Sequence, residues 1–223
     1  EVVGFGFAGA VAYVLVLIVV SLCIRTNALD LDWYGAGRLV AGRVLDGEWW
    51  RTVTALTMHL DLDHLGGNLL FGTFFGYFAA RHLGPGVAWL AIVGSGTLGN
   101  VLSALAQNPQ HAAIGASTAV FAALGLLTAY TWRRGFMRGT PWRARIGPIV
   151  AGLGLLAFTG TGGENTDIFA HLTGFVSGFG CGLLLARYAR IDITRRPQTQ
   201  RACSIATAAL VAGAWAWGLW AAG

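Results

Sequence analysis

Residues 83–132 read LGPGVAWLAIVGSGTLGNVLSALAQNPQHAAIGASTAVFAALGLLTAYTW, without a single Asp, Glu, Lys or Arg. A helix needs roughly 20 apolar residues to cross the hydrocarbon core of a bilayer, so this run is long enough to cross twice. Gln107-Asn108-Pro109-Gln110 interrupts it near the middle, and a polar, proline-containing tetrad between apolar stretches reads as a turn. The stretch predicts two membrane helices running in opposite directions.

Outward from there the pattern repeats. Val2–Ile24, Leu65–Ala80, Ile146–Gly163, Ile168–Ala186 and Ala202–Gly223 are further uncharged runs, each bounded by charge on at least one side, so seven spans are expected. The first run has no basic segment before it and outlasts the apolar part of a secretory signal, which favours a true span. Of the 223 residues 55% are hydrophobic and only 11% charged, and the mean hydropathy is +0.61. A soluble domain cannot hide that much apolar surface. The expected fold class is an all-α membrane protein, one multi-pass domain whose surroundings are membrane lipids.

The net charge of +5 would suggest nucleic acid in a soluble protein, but here it lies between spans. Arg81 follows the second span, Arg133, Arg134, Arg138, Arg143 and Arg145 the fourth, and Arg187, Arg190, Arg195, Arg196 and Arg201 the sixth. Positively charged loops stay in the cytoplasm. This places the N-terminus inside and implies no nucleic-acid partner. The chain has no lysine and 33 glycines, a composition that points to a bacterial plasma (inner) membrane. Cys23, Cys181 and Cys203 lie in apolar runs and read as packing residues, with neither disulfide nor metal spacing. Nothing in the sequence specifies an oligomer.

The loop from Arg25 to Asp63 is long, and its Trp33, Tyr34, Trp49 and Trp50 suit a segment at the membrane interface, folded partly into short helices. Trp50-Arg51 is expected to fix this loop on the lipid surface. Gly72 and Gly76, then Gly174, Gly178 and Gly182, stand four apart, the spacing that lets helix backbones pack closely. Thr159–Gly163 suggests a mobile outer loop before the sixth span.

Polar groups inside a membrane are costly, so those at a shared depth mark a site. His64 and Asn68 open the second span, Gly115-Ala116-Ser117 the fourth, and Asp167 through His171 the sixth. Even-numbered spans run from outside to inside, so these first turns share one leaflet. A serine hydroxyl becomes a nucleophile when a nearby base takes its proton, and histidine suits that task. Ser117 and His171 fit nucleophile and base. The Ser117 N–H, Asn68 and His64 are candidate donors to an oxyanion, and Gly115 leaves room for a close backbone approach. Asp167, one turn before His171, is a candidate to orient its imidazole. His59 and His64 could suggest a metal, but no HExxH pattern accompanies them. His82 and His111 have no identifiable partner.

GAST at 115–118, HLGGN at 64–68 and AHLTGFVSG at 170–178 together resemble the signature set of rhomboid intramembrane serine proteases. Trp50-Arg51 is similar to a pair in that family, and the likeness covers residues 1–190. The resemblance implies a rhomboid-like bundle of six transmembrane helices, with 191–223 adding a linker and a seventh C-terminal helix. It also implies a Ser117–His171 dyad, oxyanion binding by His64 and Asn68, single-span transmembrane proteins as substrates, and no cofactor or metal. Two positions depart from the pattern: Thr118 where many members have Gly or Ala, and Phe121 where many have Tyr. Phe121, one turn after Ser117, is expected to pack against His171. The rival readings are a rhomboid-like pseudoprotease that binds helices without cutting, and a small transporter, which would need midplane charges or broken helices that are not seen.

Overall fold

A computed structural model describes residues 3–137, 139, 141–160, 167–188 and 196–223. Long helices occupy the apolar runs: α1 (Val3–Thr26), α5 (Leu62–Leu83), α6 (Pro85–Ala106), α7 (Ser117–Met137), α8 (Trp142–Gly160), α9 (Ile168–Tyr188) and α10 (Pro197–Ala222). Several outrun the uncharged stretch that announced them. α5 starts at Leu62 because the Asp61 side chain accepts the His64 N–H at 2.7 Å, capping donors that a helix start leaves open. It ends at Gly84, whose φ of 82° suits glycine, and Pro85 then opens α6.

Among the described residues four helices are long and apolar enough to cross a membrane by length and composition: Phe7–Thr26 within α1, Pro85–Ala106, Ile168–Arg187 and Pro197–Ala222. The other three long helices carry charged residues in their end turns. The packing suits lipid surroundings. Leu15, Leu70, Val176 and Ile205 are more than half exposed, whereas Ala79, Ala88, Ala104, Ala122 and Ala129 are fully buried. Small residues inside and large apolar ones outside are what close helix packing in lipid favours.

The glycines make that packing specific. A Cβ on Gly174, Gly178 or Gly182 would overlap the carbonyls of Thr118, Ala122 and Leu126, so α9 lies backbone to backbone on α7. Gly72 faces the Tyr13 ring and Gly76 the Trp89 indole. α10 packs along α6 and the first loop, where the Trp215 indole N–H donates to Thr57 Oγ1 at 3.0 Å. Cys23, Cys181 and Cys203 are free thiols.

The first loop folds into short helices, as expected: α2 (Trp33–Gly37), α3 (Ala41–Leu45) and α4 (Arg51–Thr54), with 3-10 turns at Ala28–Asp30 and Ala55–Thr57. Two findings correct its sequence reading. Arg51 is not at the lipid surface: it is 2% exposed, donates to the Gly35 and Arg38 carbonyls at 2.8 Å and bonds Glu48. It staples the loop internally. In addition β1 (Leu39–Val40) pairs antiparallel with β2 (Ala112–Ala113), tying the first loop to the segment between α6 and α7. Two-residue strands leave no periodicity to read. Of the Thr159–Gly163 stretch, Thr159 and Gly160 still belong to α8, and 161–163 lie outside the described residues, as do Arg190 and Arg195.

Candidate active site

A cavity of about 960 Å³ opens where α5, α7 and α9 begin, and Ser117, His64, Asn68 and His171 all line it. Residues from three helices, His64 and His171 standing 107 positions apart, are thus brought to one place. Ser117 is the first residue of α7, with the helix N-terminus and its open N–H groups behind it. His171 lies one turn into α9 and is 7% exposed. The Phe121 ring packs on its imidazole, centroids 4.4 Å apart and planes inclined at 36°. Here the apolar ring is a wall that limits where the imidazole can turn.

Asn68 is 5% exposed. Its amide donates to the His64 carbonyl at 3.0 Å, which leaves the second amide hydrogen for another acceptor. The Asn68 backbone carbonyl accepts the Tyr13 hydroxyl at 2.8 Å, fastening α5 to α1. Gly115 does not line the cavity. Its φ is 125°, and a Cβ there would sit 2.5 Å from His64 Cε1. The positive φ and the closeness of the His64 ring both call for glycine at this position.

Three residues acquire partners that the sequence did not disclose. His59 is 1% exposed; its Nε2 accepts the Ala116 N–H at 3.2 Å, and its ring meets His64 edge-on at 5.0 Å. It holds the turn before Ser117, and its only sequence signal was its position five residues before His64. His111 does have a partner: Nε2 lies 2.7 Å from Asp167 Oδ2. Asp167 also caps α9, accepting the Ala170 N–H at 2.9 Å, so its carboxylate is directed at these groups. His82, at the last turn of α5, has its ring 5.9 Å from that of Tyr130. A second, polar cavity of about 500 Å³ lies between the first loop and the end of α10 and holds none of the expected site residues.

A hydroxyl at a helix start, a buried imidazole, a primary amide and a second imidazole around one cavity form a set able to activate a nucleophile and stabilise an oxyanion. A family profile described as the Rhomboid domain matches residues 46–188. The chain is 29% identical over 136 residues to the putative rhomboid protease YdcA of Bacillus subtilis, covering 61% of this chain and 67% of that protein. It is 32% identical over 156 residues to the rhomboid protease GluP of the same species, 69% of this chain but 29% of that protein. Against Rhomboid-like protease 2 of Toxoplasma gondii the identity is 29% over 168 residues, 73% of this chain and 57% of that protein. The chain thus spans less than two thirds of the length of two of these three relatives.

Proposed function

The chain belongs to the rhomboid family, and on that premise we propose that it is an intramembrane serine endopeptidase with Ser117 as nucleophile and His171 as base. The observation that carries this reading is that Ser117 and His171 line one cavity, on two helices held backbone to backbone by glycines. His171 takes the Ser117 Oγ proton as Oγ attacks the scissile carbonyl. The oxyanion is held by the Ser117 N–H, Asn68 and His64. Collapse breaks the C–N bond, the departing amine takes the proton from His171, and water then hydrolyses the acyl ester with His171 again as base.

The substrates are single-span membrane proteins, bound from the side and unwound at one end, with the cut near the outer leaflet. In this reading six transmembrane helices within residues 1–190 form the core, 191–223 add a linker and a seventh span, and the N-terminus faces the cytoplasm of a bacterial inner membrane. No metal or organic cofactor enters the reaction.

The test is cleavage of a single-span substrate in liposomes by wild type, Ser117→Ala and His171→Ala, with labelling by a serine-reactive phosphonate. Wild type alone is expected to cut, each variant losing at least about a thousandfold, the scale on which such residues act. Equal cutting by all three would place the chemistry elsewhere. No cutting and no labelling of Ser117 would favour a pseudoprotease that binds helices without cleaving them.

A further inference from the structure

Both oxygens of the Asp167 carboxylate are engaged, and by two different parts of the chain. Oδ1 accepts from the Ala170 N–H at 2.9 Å and from the Gln107 side-chain amide at 3.2 Å, while Oδ2 faces His111 Nε2 at 2.7 Å. Ala170 is in the first turn of α9; Gln107 and His111 belong to the segment that leaves α6 and leads to Ser117. That segment is held from its other side as well. The His111 carbonyl accepts the Ala41 N–H at 2.9 Å and the Pro109 carbonyl the Gly42 N–H at 2.8 Å.

We propose that the His111–Asp167 pair is a clip that sets the position of His171 relative to Ser117, an inference that rests on the dyad reading above. Both line the cavity that Ser117 and His171 line, and in this reading they act as positioning residues. His171 donates its backbone N–H to the Asp167 carbonyl at 3.1 Å, so a displacement of Asp167 carries His171 with it. The glycine seam grips α9 from Gly174, against Thr118, toward its far end. His171 stands three residues before that grip, in the turn the clip secures. The two side chains are 25% and 20% exposed, shielded enough for a charge-assisted bond to be stronger than in open water. Proton transfer within a dyad demands such restraint, since misplacement by about 1 Å can cost a hundredfold in rate.

The experiment compares wild type with His111→Ala, Asp167→Ser, the double variant and His111→Gln, all full-length and in liposomes. Serine at 167 still caps α9 but is too short to reach His111. Each single variant is expected to lower kcat roughly ten- to a hundredfold with KM unchanged, and to slow phosphonate labelling of Ser117 in parallel. The double variant should be no slower than the slower single, the signature of one shared interaction, and His111→Gln, which keeps an N–H donor, should recover part of the loss. If His111→Ala does not fold, His111→Phe keeps the ring volume without the donor and serves in its place. Labelling of the His111 variants at the wild-type rate, or losses that multiply in the double variant, would overturn the clip while leaving the dyad standing. A wild type that neither cuts nor is labelled removes the dyad reading and the clip together.

Discussion

His59 can hold the Ala116 amide only while its ring is neutral, because Nε2 must offer a lone pair. Burial first, and the neighbouring His64 second, push its pKa from 6.5 down to about 3, with Asp61 opposing. Between those two values the unfolded chain binds a proton that the folded chain refuses. The stabilisation is therefore whole above pH 6.5 and is lost as pH falls toward 3. His59→Gln, whose side-chain carbonyl can still accept the Ala116 N–H, should flatten this acid-side loss. Thermal unfolding in detergent from pH 7 to pH 4 checks it: equal pH slopes for wild type and variant would refute the role of His59. At this scale the sequence singled out Ser117, His171, His64 and Asn68 as candidates, because residues of reactive type at the starts of apolar helices are few and costly, and all four line one cavity. It could not disclose His59, whose partner is a backbone amide, nor the His111–Asp167 pair, whose members are 56 positions apart.

Among elements, the pairing of α7 with α9 decides whether the two candidate catalytic side chains face each other. Glycine spacing on the sixth apolar run announced close packing, but nothing in it named the Thr118, Ala122 and Leu126 carbonyls as the surface it meets. Gly178 and Gly180 allow a clean comparison, since a Cβ at 178 would overlap the Ala122 carbonyl and one at 180 meets nothing within 4 Å. Gly178→Leu should destabilise the fold by about 1–3 kcal/mol or more, as overpacked sites do, and reduce cleavage by parting the helices. Gly180→Leu should do neither. Unfolding midpoints of the two variants are the measurement, and similar values would show that the seam is not where the stability lies. Long helices were legible from charge-free runs; the β1–β2 pair was not, because it is set by tertiary register and has no pattern of its own.

For the whole molecule, an exposed apolar exterior, with alanines and glycines letting the helices close on buried Leu, Phe and Trp side chains, is what lipid as the solvent allows. The proposed orientation adds a testable asymmetry. With the native cysteines replaced, Gln110→Cys, between α6 and α7, should react with an impermeant thiol reagent added outside cells. Arg81→Cys, at the end of α5, should react only after the membrane is opened. The reverse pattern would invert the topology and move the cut to the other leaflet.

Gln200 gives the last helix a further meaning. Its side chain accepts the Gly86 N–H at 2.7 Å and donates to the Leu83 carbonyl at 2.9 Å, closing backbone groups left open where α5 stops and α6 starts. Those groups are synthesised more than a hundred residues before their partner. Until α10 docks, these groups at the turn between α5 and α6 are left to water, which the Gln200 side chain then replaces. Docking of α10 thus also closes the turn between α5 and α6, a joint whose other members lie more than a hundred residues earlier in the chain.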